Sequence, residues 1–327
     1  MNRKWVRWIF GLTLLLSWRP CPGASGQSPE DKTKRLTVRL GRPSEAAGEF
    51  RLLPEPQEMT DGDGFVLYTR AAEMLPKDLD WAKIKAWRQA PGKELPLEDV
   101  RSMLRRSEAG LKLLEQAGRC KQCDWPYEFE DDCPFDLPAC RNIAFLLALE
   151  ARFQLAEGDY SSCVRTLRTG FALARHLGDG PSVLHVLVGA ATSAVLCGEI
   201  ELYAQQPGAP SLEAALRAIP HPLVYEEPSE LYGMDAAGRN RTQLALRRAN
   251  RHLIAVQYIE ALRRHAVQTA AWPQTLAELK ANLPDDPVAG KPFVYERLSE
   301  TRAILSGLLP EGGGPKDIVR YELNLVK

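Results

Sequence analysis

The chain has 327 residues, of which 45% are hydrophobic and 26% charged, so it can bury a full core and is not disordered by composition. Basic and acidic residues are equal in number, 42 of each, but the first 26 residues contain four of the basic ones and no acid, which leaves 38 basic against 42 acidic residues. Such a balance provides no overall field for a polyanion, and nucleic acid is therefore not predicted as a partner.

The N-terminus has the organisation of a secretory signal. Residues 2–7 (NRKWVR) are basic, residues 8–18 (WIFGLTLLLSW) form an apolar run, and residues 24–26 (ASG) offer small side chains at a cleavage site. The run is shorter than the about 20 residues that a membrane span needs. We therefore predict a signal peptide over residues 1–26 and export to the periplasm or the medium. An uncleaved N-terminal anchor is the alternative, and other membrane contact is expected to be peripheral at most.

The segment that follows, residues 27–63, is polar and rich in Pro and Gly, and it is predicted to be a tether. Its one alternating stretch, residues 36–40, has the pattern of a short edge strand. A helical period begins at residue 64 and continues to residue 219, interrupted by a cysteine-rich acidic loop at residues 120–140. Helices are predicted over residues 64–74, 81–89, 97–117, 141–157, 160–177 and 181–205.

The helices are joined by short turns, which predicts a helical-hairpin bundle or a short solenoid. Residues 149–174 (LEARFQLAEGDYSSCVRTLRTGFALA) resemble one tetratricopeptide-type hairpin. Stacked repeats recur at a fixed period, and three such units are not found in the chain.

The C-terminal part begins after a proline-rich linker, residues 220–240. Residues 241–327 are predicted to form a long helix and a small β module with about three strands. The expected elements are helices over residues 241–270 and 275–282 and strands over residues 293–297, 302–308 and 318–326. The predicted fold class is therefore mainly α, with a small α+β tail module.

Two resemblances cover parts of the chain. Residues 272–295 (WPQTLAELKANLPDDPVAGKPFVY) resemble the C-terminal segment of bacterial major pseudopilins. The tail is also similar to that of a large group of exported helical proteins of planctomycete bacteria, which share the neighbourhoods at residues 71–73, 123–125 and 149–152. The long apolar pilin helix with its early Glu is absent, so filament assembly is not implied, and the planctomycete group implies no activity.

The four cysteines of the acidic loop have the spacing C-x2-C, x9, C-x6-C. In an oxidising compartment such cysteines are expected to form two disulfides across a loop with little apolar content, and three pairings are open. A tetrahedral zinc site is the alternative, because the first pair has zinc-like spacing. The candidates for either are Cys120, Cys123, Cys133 and Cys140.

A second cluster of charge lies on the long helix near residues 239–264, which carries seven arginines and one acid, Glu260. The simplest interpretation is a solvated face, and the alternative is a face that binds an anionic polymer, the acidic loop or lipid headgroups. The candidates for such an anion-binding face are Arg241, Arg247, Arg248, Arg251, Arg263 and Arg264.

No catalytic residue and no cofactor are predicted. None of the five histidines lies in a recognised dyad, elbow or metalloprotease spacing, and there is no Gly-rich phosphate loop followed by a helix. The sequence therefore favours a binding or scaffold protein of the cell envelope whose partner is another envelope protein. The alternatives are a hydrolase that uses the carboxylates at residues 124–136, and an auxiliary of a secretion or pilus-like apparatus.

Overall fold

The computed structural model describes residues 33–41, 50–90, 94–126, 129, 133–224, 233–310, 314 and 317–326; the predicted signal peptide lies outside them. These residues are mainly helical, with a four-stranded mixed sheet at the C-terminal end, which confirms the predicted fold class. The described helices are α1 (Gly64–Met74), α2 (Trp81–Gln89), α3 (Leu97–Gly118), α4 (Leu137–Ala156), α5 (Tyr160–Gly178), α6 (Val183–Tyr203), α7 (Glu213–Arg217) and α8 (Ala236–Thr269). The described strands are β1 (Lys34–Arg39), β2 (Thr60–Asp63), β3 (Cys120–Gln122), β4 (Val294–Arg297), β5 (Arg302–Gly307) and β6 (Val319–Val326), and a 3-10 turn covers Leu276–Leu279.

Aspartates define where five of these helices begin. The side chain of Asp63 accepts a hydrogen bond from the main-chain nitrogen of the second residue of α1, and the other four accept from the third helical residue. Each cap satisfies a main-chain donor that has no partner within the helix and contributes about 1 kcal/mol. The capping residues are Asp63, Asp80, Asp136, Asp159 and Asp235.

Close packing of α1 against α3 depends on Gly110. A Cβ at this position would lie 2.7 Å from Cδ2 of Leu75 and 3.0 Å from the carbonyl oxygen of Ala71. The two helices therefore approach along a line that admits no larger side chain. This contact fixes α3 as one wall of the bundle, and the α4–α5 hairpin packs on the other side of that wall.

Helix α6 is the central helix of the bundle and contacts α4, α5 and α8. Among the described residues it is the one helix long and apolar enough to cross a membrane, and 72% of its most apolar window is buried inside the fold. Its last turns carry two buried acids. Glu199 accepts hydrogen bonds from Nε and Nη2 of Arg152 at 3.1 and 3.0 Å, and Glu201 is bound by residues of β1, α8 and β6. These ion pairs identify α6 as a core helix.

The sheet has the strand order β1-β6-β5-β4. The three strands that the sequence predicts, β4, β5 and β6, are antiparallel neighbours. Strand β1 adds a fourth strand parallel to β6, with Leu36 opposite Leu323. Residues 34–39 were expected to belong to a tether with a possible edge strand. They are instead an integral strand, because Leu36 and Val38 are buried against α8.

Helix α8 joins the sheet to the bundle. Its first half places Leu246 and Leu253 in a core with α5 and α6, and its second half places Ile259 and Leu262 in the core beneath the sheet. Helix α8 therefore contributes to two hydrophobic cores, one in the bundle and one beneath the sheet. In the predicted linker, residues 223–224 are buried in the bundle core, whereas residues 225–232 lie outside the described residues.

Candidate functional site

Three of the four cysteines of the predicted site, Cys120, Cys123 and Cys140, lie close to the buried side chain of Tyr68. All six described cysteines are free thiols; Cys120 and Cys140 are buried, whereas Cys123 and Cys133 are partly exposed. Burial raises the pKa of Cys123 and of Cys140, which keeps such thiols protonated and weakly nucleophilic. No group of three or more His, Cys, Asp or Glu in the described part of the chain is arranged to hold a metal ion. The disulfides stay a prediction.

A buried histidine anchors this loop. Nε2 of His176 lies 3.0 Å from the carbonyl oxygen of Cys120, and its Nδ1 lies 3.0 Å from the hydroxyl of Tyr68. A carbonyl only accepts, so Nε2 carries the proton and Nδ1 accepts from Tyr68. Burial lowers the pKa of His176 to about 4, and the neutral ring therefore serves as a structural bridge. Trp125 adds a second link by donating to the carbonyl oxygen of His176 at 2.7 Å.

The acids of the loop do not form a described catalytic pair. Asp124 is exposed, and its main-chain nitrogen is bound by Asp63. Asp136 caps α4. The other acids of the loop, at positions 128 and 130–132, lie outside the described residues. Neither described acid is buried, whereas the hydrolase alternative requires carboxyl groups inside a closed cleft.

The six arginines of the predicted anion-binding face do not share one surface. Arg251 is buried; it donates to the carbonyl oxygens of Asp317 and Leu308 at 2.6 and 2.8 Å and pairs with Asp286 at 2.6 Å. Arg263 is also buried and forms two hydrogen bonds with Glu260, at 2.7 and 2.8 Å. Both guanidinium groups therefore belong to the core of the fold.

The remaining four arginines differ among themselves. Arg248 donates to Asp317 at 2.7 Å, and Arg264 pairs with Glu213. Arg247 is half-buried, and Arg241 is exposed and donates to a carbonyl group of its own helix. The charge that the sequence concentrates on this helix thus serves mainly to join α8 to the chain around it, and the expected continuous anion-binding face is not formed at Arg251 and Arg263.

The structure instead shows a cleft between α3 and the α4–α5 hairpin, with a volume of about 420 Å³. Apolar side chains line it, and charged side chains reach it from α3 and α5. The apolar side chains are Leu104, Leu111, Leu147 and Phe153. The remaining lining residues are polar or charged, so the cleft places a short apolar strip among polar side chains from three helices.

Glu150 of α4 is the unusual group in this cleft. Its side chain is half-buried beside the Thr166 hydroxyl. Burial raises the pKa of Glu150 to about 7, with a contribution from the negative charge of Glu115, while Thr166 and Arg165 act in the opposite direction. A carboxyl group that titrates near neutral pH inside a cleft is typical of functional sites.

The cations of the cleft fall into two classes. Arg101 pairs with Glu157 at 2.9 Å and with Glu98, and Lys112 pairs with Glu108 at 2.6 Å. Two further cations of the cleft make no direct ion pair with a carboxylate of the described residues.

These two cations are Arg105 of α3 and Arg165 of α5, which line the same cleft from different helices. Both are exposed, and Arg165 donates a hydrogen bond to the Ser162 hydroxyl at 2.7 Å. The cleft therefore combines apolar side chains, two arginines able to bind an anion, and the carboxyl group of Glu150, whose pKa is raised to about 7.

Sequence reasoning did not select this site. Glu150 lies within a predicted helix and was noted only as part of the resemblance at residues 149–152. The available signal was an acid within an apolar stretch, since residues 146–149 and 151 are all buried. Nothing in the sequence distinguishes Arg105 and Arg165, because solvated arginines occur on most helices.

No protein-family model matches this chain, and no curated protein or solved structure matches it either. The resemblances to pseudopilins and to the planctomycete group therefore stay predictions.

Proposed function

We propose that this protein is an exported binding or scaffold protein of the cell envelope, which holds a segment of another envelope protein in the cleft between α3 and the α4–α5 hairpin. The observation that carries this proposal is the cleft itself, with Leu104, Leu111 and Phe153 in its lining. Its volume of about 420 Å³ suits a few side chains of a peptide or helix.

The cleft is built on rigid elements. Gly110 packs α3 tightly against α1, and Arg152 fixes α4 to α6 through its paired hydrogen bonds with Glu199. A site whose walls are helices held from behind loses little conformational entropy when a partner binds. Export is supported by the basic and apolar pattern of residues 1–26 alone.

A second candidate function is hydrolysis with Glu150 as the general acid or base. The observation that favours it is the pKa of Glu150, which is raised to about 7, since acid–base groups work best near the operating pH. Glu150→Gln would then abolish activity on any substrate that the protein cleaves. Partner binding ranks first because the charged side chains that line the cleft with Glu150 are cations and acids paired with cations, and because apolar side chains lie beside them.

The proposal is tested by changing the lining of the cleft without changing its charges. Leu111→Gln makes the lining polar, and Leu113→Gln is the matched control, because Leu113 is equally half-buried on α3 but does not line the cleft. The protein and both variants are purified from their own cell envelope and analysed by native mass spectrometry. We expect a partner to remain with the wild type and Leu113→Gln and to be lost from Leu111→Gln. Equal retention in both variants, or no partner in any sample, would contradict the proposal.

A further inference from the structure

Two cations in the cleft make no direct ion pair with a described residue. Arg105 and Arg165 reach it from α3 and α5, and Arg165 donates to the Ser162 hydroxyl and interacts with Glu150 and Asp159 only over a longer distance. Their neighbours differ in this respect, because Arg101 and Lys112 are each paired with an acid of this chain. The cleft therefore presents two exposed guanidinium groups beside its apolar side chains.

We propose that the partner segment is acidic, with an Asp or Glu carboxylate held by Arg105 and Arg165 beside the carboxyl group of Glu150. This inference rests on the proposed function and names the chemistry of its partner. Guanidinium groups bind carboxylates through charge-assisted, often paired hydrogen bonds. The apolar lining then contacts side chains that flank the acid in the partner.

Glu150 decides when this pocket accepts an anion. The charged groups around it come from two walls: α3 contributes Glu115, and α5 contributes Arg165 together with the Thr166 hydroxyl. The other charged side chains of the cleft are Arg101, Arg105, Glu108 and Lys112, all from α3. The same burial that gives Glu150 a pKa of about 7 leaves its carboxyl group largely protonated at pH 6 and largely ionised at pH 8.

The consequence for binding follows from charge. A protonated Glu150 donates a hydrogen bond to the partner's carboxylate, whereas an ionised Glu150 repels it. With a pKa near 7, the protonated fraction falls roughly tenfold between pH 6 and pH 8, and affinity falls with it when only the protonated form binds. The cleft therefore holds its partner under mildly acidic conditions and releases it as the pH rises.

The first test uses the full chain and a set of short fluorescent peptides made of Leu, Phe and Ala, in which a single Asp is moved through every position. A second set carries Asn in place of Asp and is otherwise identical, so that each Asp peptide has an Asn twin. Fluorescence anisotropy at pH 6 reports affinity. We expect Asp peptides to bind more tightly than their twins, and Arg105→Gln and Arg165→Gln each to weaken the best one roughly tenfold. Arg106→Gln is the control, because Arg106 is exposed on the same helix, pairs with Asp78 and lies outside the cleft.

Three results would overturn the inference. The first is that no Asp peptide binds, and the second is that the Asn twins bind equally well. The third is that inorganic phosphate displaces the peptide completely at low millimolar concentration, which would identify a simple anion site. If Leu111→Gln still removes the native partner in these cases, the cleft is the binding site and only the chemistry assigned to the partner is wrong.

The second test addresses Glu150. Affinity of the best peptide for the wild type is expected to fall roughly tenfold from pH 6 to pH 8, while Glu150→Gln, which stays neutral, is expected to bind with little pH dependence. Thermal melting verifies that the variant is folded. A flat profile for the wild type, or the same slope in both proteins, would contradict the role of Glu150.

Discussion

Glu201 joins the sheet to the helical bundle. This acid of α6 accepts hydrogen bonds from Lys34 of β1 at 2.9 and 3.0 Å, from Nε2 of His252 of α8 at 2.7 Å and from the hydroxyl of Tyr321 of β6 at 2.7 Å. Its side chain is only 8% exposed. Glu201→Gln keeps the shape but removes the negative charge from this junction.

The magnitude follows from the pKa of Glu201. Burial alone would raise the pKa of Glu201, but the charge of Lys34 and the hydrogen bonds from Lys34 and His252 more than offset this effect and lower it from 4.5 to about 2. Burial also lowers the pKa of His252, so Lys34 supplies most of the positive charge at neutral pH. A lowered pKa means that the folded state favours the ionised form, so the stabilisation is present above about pH 4.5 and is lost as the pH falls towards 2. The difference corresponds to about 3 kcal/mol of unfolding free energy at neutral pH.

The assay is urea unfolding of the wild type, Glu201→Gln and a control at neutral pH and at stepwise lower pH. Glu322→Gln is the control, because Glu322 lies on the same sheet and pairs with the exposed side chains of Arg35 and Arg302, a surface arrangement that contributes less than about 1 kcal/mol. We expect Glu201→Gln to cost about 3 kcal/mol at pH 7, and the gap to the wild type to close towards pH 2. A cost no larger than that of the control, or one independent of pH, would refute this reasoning.

Three further predictions concern other parts of the molecule. The carboxyl group of Glu150 should titrate near pH 7 when its carboxyl carbon is followed by NMR. A raised pKa stabilises the folded state at low pH, and this stabilisation is lost as the pH rises through about 7. Glu150→Gln should therefore stabilise the protein at pH 8 but not at pH 5. Gly110→Ala should destabilise the fold by about 1–3 kcal/mol in urea unfolding because its Cβ would meet α1, whereas Gly198→Ala, with nothing within 4 Å, should be neutral or slightly stabilising. Intact mass of the protein from its own envelope should begin at Gln27 and show two disulfides among the four loop cysteines; a full-length or fully reduced chain would contradict export into an oxidising compartment.

Local pattern was enough to predict most of the helices and three of the sheet's strands, but the helix predicted over residues 275–282 is only a 3-10 turn, Leu276–Leu279, which ends at Lys280 with a φ of 50°. The helical period gave α1 and α2 with the observed bounds, and capping aspartates explain why several helices begin where they do. The alternation at residues 36–40 indicated a strand but not its neighbour. Pairing β1 in parallel with β6 joins segments from opposite ends of the chain, and no local signal specifies such a partner.

The arginines of α8 show a second limit. Counted along the helix they form a basic cluster, yet the partners of Arg251 and Arg248 come from the tail, at Asp286 and Asp317. An unpaired charge in sequence is often a paired charge in the fold, because the acid arrives from a distant segment. The reverse holds for Glu150, which has the sequence appearance of an ordinary helical acid and acquires its raised pKa from burial against α3 and α5.

The central claim is that a partner binds in the cleft, and site-specific photo-crosslinking in the native cell envelope tests it most directly. A photoreactive benzoylphenylalanine replaces Lys112, which lines the cleft, or Arg106, which is exposed on the same helix outside it. We expect a defined adduct at position 112, attached to an acidic segment of one protein, and no such adduct at position 106. The adduct at position 112 should be lost when Arg105→Gln and Arg165→Gln are introduced together. Equal labelling at both positions, or an adduct at 112 that survives the loss of both arginines, would contradict it.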